Sequence, residues 1–230
     1  MLKIHCAALL AMLSAGCGAP ESRQSAPNAP LGSASLPAMA AAPYRIDSTR
    51  SELRILVYRA GPMAMLGHNH VIANRALGGW VRYAGRVAEA SFALTVPDAG
   101  FVVDDDAMRR EEGADFAEET PQDAKSGTLH NMQSAALLDA AQFPEITVRS
   151  VAITGAAGEF TATVAVSVAG HESRLDVPFT VDTSPGRVTA SGELWVRQSA
   201  LGLTPFSVMM GALRVQDDIR VKFRFAAATL

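Results

Sequence analysis

Cysteine is nearly absent from the sequence, which has Cys6 and Cys17 as its two cysteines among 230 residues. Cys6 lies in an N-terminal segment typical of an export signal, so a processed chain would keep a single cysteine and no intramolecular disulfide. The chain also lacks a large excess of positive or negative charge, since its net charge is −3. This balance excludes bulk affinity for nucleic acid and indicates an ordinary globular domain.

Several sequence motifs of catalysis and ligand binding are missing as well. The chain has no Gly-x-Ser-x-Gly nucleophile motif and no Gly-rich loop for phosphate. Residues 104–123 are strongly acidic, but they lack the ligand spacing and the central glycine of a calcium loop. We therefore predict a solvated loop over these residues and a protein that is not an enzyme.

Long hydrophobic runs are missing, and the apolar run over residues 4–13 is too short for a transmembrane helix. It is typical of an export signal, and the small residues before Cys17 resemble the bacterial lipobox, whose cysteine is acylated. We predict a lipoprotein-type signal segment over residues 1–17 and a membrane-anchored periplasmic protein. An Asp directly after the cysteine would resemble an inner-membrane retention signal. This chain has Gly18 there, which favours the outer membrane. The alternative is a secretory signal that leaves a soluble periplasmic or secreted protein with Cys17 as a free thiol.

The next segment, residues 18–42, is rich in Ala, Pro, Ser and Gly and carries two charges, Glu21 and Arg23. Such a composition cannot bury enough apolar surface to become ordered, so we predict a flexible tether. The remaining residues, 43–230, are enough for one domain with one good core.

Within that domain, apolar residues alternate with polar ones at the period of two that is typical of strands. The alternation predicts strands over residues 44–47, 52–59, 80–83, 88–96, 145–151, 160–168, 175–181, 188–196 and 219–225. Turns are predicted at Gly170-His171 and Pro185-Gly186. About eight antiparallel strands with one apolar face need a second sheet or closure, and a barrel is the economical choice.

One helix interrupts the strands. Thr120-Pro121 is a helix start with Thr as N-cap and Pro at the first helical position, and the helical spacing continues to about Ala140. Phe143-Pro144 ends the pattern just before a strand. We expect this helix to flank or cover the barrel, and the fold class to be mainly β with one or two flanking helices.

The apolar strand faces could enclose a tunnel for a hydrocarbon chain or could form a filled core, and the pattern alone leaves both open. Small residues on these faces favour some empty space. The candidate lining residues are Phe92, Leu94, Val148, Phe160, Val164, Phe179, Leu194 and Phe223. Met63-Ala64-Met65 and Met209-Met210-Gly211 could add adaptable lining or fill gaps in a core.

Four stretches in this order resemble the YceI-like family. They are Tyr44-Arg45-Ile46-Asp47 with Ser51, residues 131–150 with Phe143-Pro144, the hairpin at Gly170, and Arg197-Gln198-Ser199 in residues 197–203. The resemblance spans residues 44–225 and implies a periplasmic, lipocalin-like extended barrel that binds polyisoprenoid lipids. Two stretches depart from the family pattern: Asn131-Met132-Gln133-Ser134 replaces His-Leu-x-Ser, and Leu66-Gly67-His68-Asn69-His70 replaces a short His-Leu-Gly turn.

His68 and His70 are two residues apart, so on an extended backbone both side chains would point the same way and could bind one metal ion. His130 or an acidic side chain would have to supply a third ligand. The alternative is that these histidines hydrogen-bond a loop at the rim of the barrel.

The leading hypothesis is a non-enzymatic protein of the bacterial cell envelope that binds an isoprenoid or similar long-chain amphiphile and has no other cofactor. The main alternative is a metal-binding protein or metal-dependent enzyme that uses His68 and His70. A third hypothesis is a structural envelope protein with a filled barrel.

Overall fold

The computed structural model describes residues 44–229, which belong to one compact unit of fourteen strands and two α-helices. The strands are β1 (Tyr44–Ile46), β2 (Glu52–Val57), β3 (Arg59–Ala60), β4 (His70–Asn74), β5 (Gly78–Arg82), β6 (Ser91–Pro97), β7 (Phe101–Val103), β8 (Glu145–Ala156), β9 (Glu159–Val168), β10 (His171–Ser184), β11 (Arg187–Arg197), β12 (Ser207–Val208), β13 (Leu213–Val215) and β14 (Asp218–Ala228). The helices are α1 (Asp106–Glu111) and α2 (Gln122–Gln133). The predicted signal segment (1–17) with Cys17 and the predicted tether (18–42) lie outside the described residues.

Eight antiparallel strands close into a barrel in the order β1, β5, β6, β8, β9, β10, β11, β14 and back to β1. Strand β14 closes the barrel. One edge of β14 pairs with β11 along the whole length of the strand, and the other edge pairs with β1 and then with β2. Strands β2, β4 and β7 continue the sheet beyond β14. The predicted antiparallel barrel of about eight strands is confirmed.

Side chains alternate between the barrel interior and its surface as the pattern predicts. On β9, Ala162 and Val164 point inward and are 2% exposed each. On the adjacent β10, Val177 points inward, whereas Arg174 and Asp176 are exposed. The predicted turns are also present, because β9 ends and β10 begins around Gly170, and β10 and β11 are joined at Gly186.

Part of the outer barrel surface is covered, and here the prediction of a solvated acidic loop over residues 104–123 is wrong. These residues contain α1 and a short 3₁₀ turn, from which Met108 and Phe116 pack on Leu56 and Val71. Both Leu56 and Val71 are fully buried. The segment is strongly acidic on average. This average concealed the two apolar residues, Met108 and Phe116, that attach the segment to the sheet.

The predicted helix is present but shorter than expected. Helix α2 begins at Gln122 after Pro121, and Thr120 does not cap it, because its buried hydroxyl has no hydrogen-bond partner among the described residues. The helix ends at Gln133. The chain then folds back on the helix end through Leu138 N–H to the Met132 carbonyl, with Asp139 in the left-handed region at φ 49°.

Helix α2 contacts β7, and Met132 packs with Ile72, Val96 and Phe101. These contacts show that helix α2 and the turn after it cover one end of the barrel, which places some of their side chains at the interior.

Both helices are short, and among residues 44–229 no helix is long and apolar enough to cross a bilayer.

We expect Leu56→Ala to lower the free energy of unfolding by about 2 to 5 kcal/mol, because it removes fully buried methyl groups between β2 and the α1 segment. Leu53→Ala on the same strand is the matched control. Its side chain borders a cavity, so it loses fewer contacts and the cost should be smaller. Urea unfolding of both variants measures the difference, and an equal cost would contradict this packing.

Candidate functional site

The barrel interior contains a cavity of about 230 Å³ whose walls are almost entirely apolar. We call it the apolar cavity. Twenty-nine side chains from every barrel strand line it, and all of them are hydrophobic residue types. The predicted lining residues found in its wall are Phe92, Leu94, Val148, Val164, Phe179, Leu194 and Phe223.

Phe160 is the exception among the predicted lining residues. Its side chain does not reach the cavity wall and instead packs on Phe179, with ring centroids 5.7 Å apart. Phe160 is the cross-strand partner of Phe179 and therefore packs beside a lining residue on the same face of the sheet. Alternation along β9 predicts its face of the sheet but not its distance from the cavity, which depends on where along the barrel the empty space lies.

Many inward side chains of the apolar cavity are only partly buried. Examples are Leu53, Val148, Leu175 and Phe223. In a filled core these side chains would be buried by contact with each other. Here the small residues Ala162 and Ala190 stand among them and leave the interior hollow. The hypothesis of a filled barrel is contradicted by this space.

A second cavity of about 240 Å³ adjoins the first and has a polar end. We call it the polar cavity. The two share Ile55, Ile146, Val166, Leu201 and Ile219 in their walls. The polar side chains in its wall are Arg59, His68, His70, Thr128, Asn131, Gln198 and Arg214. The two cavities therefore lie side by side across these five residues, one with an apolar wall and one with hydrogen-bonding side chains in part of its wall.

His70 is held in one orientation by both ring nitrogens. Nδ1 lies 2.6 Å from Asp104 Oδ2, and Nε2 lies 3.2 Å from Thr128 Oγ1. An ionised carboxylate only accepts, so Nδ1–H donates to Asp104 in either state of the ring, whereas Nε2 accepts from the Thr128 hydroxyl in the neutral ring and donates to its oxygen in the charged ring. The ring thus links strand β4 to helix α2 at the wall of the polar cavity.

Asp104 is fully buried and carries a dense set of donors. Its Oδ1 accepts from the Val71 N–H at 2.8 Å and from Arg109 Nη1 at 2.6 Å. Arg109, itself 4% exposed, also donates to the carbonyls of Asn69 and Glu118. This ion pair fastens the α1 segment to β4, which is the strand that presents His70.

Burial alone would raise the pKa of Asp104. The hydrogen bond and charge of His70, the Val71 N–H and the Arg109 guanidinium outweigh it and hold that pKa below its ordinary value. The carboxylate is therefore ionised at neutral pH inside the protein. Sequence reasoning missed this group, although an acid directly after the apolar run Phe101-Val102-Val103 is a usable signal of a buried carboxylate.

The structure places His68 and His70 at the same cavity, with ring centroids 6.2 Å apart. His68 Nδ1 is buried and has no hydrogen-bond partner among residues 44–229. His130 is exposed on α2 and does not line either cavity. Within the same residues no group of three or more His, Cys, Asp or Glu side chains could hold a metal ion, so the third ligand is not found there.

A closed eight-stranded antiparallel barrel with a hollow apolar interior and two covering helices defines a lipocalin-like binding protein. A family model described as the YceI-like domain matches residues 44–227. The chain therefore belongs to the YceI-like family. No protein of curated function matches the sequence significantly.

Solved structures share this fold at low sequence identity. BcnA of Burkholderia cenocepacia is 18% identical with a TM-score of 0.59, over 80% of this chain and 99% of that one. A polyisoprenoid binding domain from Saccharophagus degradans is 15% identical with a TM-score of 0.55, over 82% and 99%. The YceI protein of Campylobacter jejuni is 11% identical with a TM-score of 0.50, over 69% and 84%. At these identities the likeness shows the fold.

We expect Asp104→Asn to cost about 3 to 5 kcal/mol of unfolding free energy at neutral pH, because it leaves the Arg109 charge buried without its partner. Asp106→Asn is the control, since its carboxylate pairs with Lys125 at the surface and should matter far less. Urea unfolding at pH 7 measures both. Equal losses would show that the buried pair does not fasten the α1 segment.

The same pair predicts a pH dependence. The pKa of Asp104 is lowered in the folded state, so its stabilising contribution is complete above the ordinary value of 3.8 and is lost as pH falls through the folded-state pKa. The stability gap between the native protein and Asp104→Asn should be constant near neutral pH and shrink below about pH 4. A gap that widens on acidification would refute the assigned ionisation.

Proposed function

We propose that the barrel binds one long-chain amphipathic lipid of the isoprenoid type and catalyses no reaction on it. The observation that carries this proposal is that two cavities of different character adjoin. Among the described residues, one is lined by hydrophobic residue types alone, and the other, which shares five wall residues with it, also has hydrogen-bonding side chains in its wall. An amphiphile has the same division along its length.

The apolar cavity fits a hydrocarbon tail. Transfer of such a tail from water is favourable by about 0.8 kcal/mol per buried CH₂. In the part of the chain that the structure describes, the wall consists of hydrophobic residue types, so a tail would leave no buried polar side chain of this wall unsatisfied. The branched aliphatic side chains of Val164, Val177 and Val188 and the rings of Phe92 and Phe179 present an irregular surface that suits a methyl-branched chain.

The polar cavity fits the headgroup. His68 Nδ1 has no hydrogen-bond partner within the described range 44–229, and Asn131 and Arg214 line the same wall at its exposed side. A buried ring nitrogen without a partner is costly, so a headgroup that hydrogen-bonds His68 would remove that cost. The tail would then extend past Ile55 and Ile146 into the apolar cavity.

The series Asp104, His70 and Thr128 has the order of a carboxylate, an imidazole and a hydroxyl, which also occurs in nucleophilic enzymes. Thr128, however, lies inside helix α2 and not on the sharp strand-to-helix turn that exposes a nucleophile. The same hydrogen bonds serve to fix α2 over the polar cavity. Binding is therefore the function that this geometry supports.

Two further observations support the proposal. The Saccharophagus degradans neighbour is named as a polyisoprenoid binding domain, and the chain belongs to the YceI-like family by its domain match.

We also propose a place in the bacterial cell envelope, with acylated Cys17 as membrane anchor, preferably in the outer membrane. A flexible tether over residues 18–42 would span roughly 25 to 30 Å.

A cavity-filling substitution tests the tail site. We expect Ala190→Phe to weaken lipid binding about tenfold or more, because a ring in the apolar cavity displaces two or more CH₂ groups. Ala152→Phe is the matched control, since Ala152 is an exposed strand residue. The measurement is the amount of lipid extracted per mole of purified protein. Equal retention by both variants would place the lipid elsewhere.

The ligand itself can be identified by native mass spectrometry of the full chain purified without detergent, followed by organic extraction and metal analysis of the same sample. We expect one long-chain amphiphile per chain and no stoichiometric metal. Stoichiometric metal that is lost in a His68→Ala/His70→Ala variant, with no extractable lipid, would overturn the proposal in favour of a metal-binding protein.

A further inference from the structure

Large hydrophobic side chains are exposed mainly in one place. Nine are exposed among the described residues, and six of these lie in two loops beside the small sheet of β12, β13 and β3: residues 61–69 after β3, and residues 198–212 before β13, which include β12. We call these six the methionine tip: Met65, Leu66, Phe206, Val208, Met209 and Met210. The predicted roles of Met65, Met209 and Met210 as cavity lining or core filler are wrong, because the three side chains are 82%, 59% and 107% exposed.

The two loops are held together by backbone contacts. The Met63 N–H donates to the Ala212 carbonyl at 2.9 Å, and β3 pairs with β13. Gly61 lies so close to Ala212 that a Cβ atom would be 2.4 Å from its carbonyl oxygen. The apolar side chains therefore form one surface and not two independent loops.

The backbone at the end of the second loop keeps its side chains outside. Met209, Met210 and Gly211 all have positive φ, at 52°, 53° and 88°. Non-glycine residues rarely adopt this region, and such strain concentrates at functional sites. Two successive methionines are thus held in a costly conformation that leaves them projecting, although ordinary burial would favour folding them back.

The methionine tip is continuous with the polar cavity. Phe206 belongs to both, since it lines the cavity and is 38% exposed. Gly67 of the first loop and Leu213, which directly follows the second, lie close together and also line the cavity. The exposed lining residues Phe206, Arg214 and Asn131 mark where the cavity reaches the surface, so its opening lies beside the tip.

Positive charge lies at the same opening. Arg214 is exposed, lines the cavity, and makes no ion pair among residues 44–229. Arg59 lines the cavity as well and contacts Glu118 at 3.7 Å. Apolar side chains that project beside an unpaired cation match the surface of an anionic bilayer, with acyl chains below and phosphates above.

We propose that the methionine tip inserts into the surface of an anionic lipid bilayer and brings the mouth of the polar cavity to that surface, where a lipid can enter or leave. The choice of a bilayer as the occupant rests on the lipid-binding function proposed above, because the ligand must be taken from or given to a membrane. Methionine suits this role, since its flexible side chain packs into irregular apolar surroundings.

Insertion is tested by an environment-sensitive fluorophore attached to the full chain at M210C, with V151C as the matched control. Val151 is an exposed apolar residue of barrel strand β8. Both chains carry C6S and C17S, so that each has one thiol and no acyl anchor at residue 17. The probe membranes are vesicles of phosphatidylcholine alone and vesicles with about one third phosphatidylglycerol.

We expect the M210C label to shift to the blue on anionic vesicles and to be quenched by lipids brominated in the acyl chains, whereas the V151C label stays unchanged. Arg214→Ala should weaken this binding about fivefold, which corresponds to about 1 kcal/mol per cationic side chain near the surface. Neutral vesicles should give a smaller shift.

Three results would overturn the proposal: no shift at M210C, an equal shift at V151C, or a shift that grows with protein concentration without vesicles, which would indicate a second copy as the occupant. Extraction of the same samples keeps the two proposals apart. Retained lipid without insertion removes only the docking surface, and insertion without any extractable lipid removes the lipid-binding function.

Discussion

The pairing of β14 with both β11 and β1 is the interaction on which the rest of the structure depends. It closes the sheet, so every barrel strand has a paired neighbour on both sides, and it turns one face of every barrel strand towards an enclosed interior. Because small residues such as Ala162 and Ala190 stand among the larger inward side chains, closure leaves space at the centre. The binding site is thus a consequence of strand pairing combined with side-chain size.

Closure also explains the position of the polar residues. The wall of the apolar cavity has hydrophobic residue types, and the hydrogen-bonding side chains of the adjoining polar cavity all come from outside the eight barrel strands. Here α2 contributes Thr128 and Asn131, and the end of β4 contributes His70. The buried pair of Asp104 and Arg109 fastens the segment between β7 and α2 to the barrel, which keeps the wall of the polar cavity in one arrangement.

Much of the fold could be predicted from the sequence, because strand alternation is a local property. The inward and outward faces of β2, β9 and β10 and the turns at Gly170 and Gly186 followed from residues a few positions apart. The end of α2 and its cap could not be predicted, because the chain after Gln133 folds back through contacts that compete with further helix. Residues 104–123 were predicted as a solvated loop because acidic residues dominate their composition, although Met108 and Phe116 among them pack on the sheet.

The candidate site divides in the same way. The sequence by itself determined which side chains face the interior, because a period of two assigns alternate residues to one face, and seven of the eight predicted lining residues stand in the cavity wall. Tertiary structure alone decided that the interior is hollow, that Asp104 meets His70 from 34 positions away, and that the methionines project into solvent. These properties depend on distances across the barrel and between loops, and such distances exist only after the strands have paired and the sheet has closed.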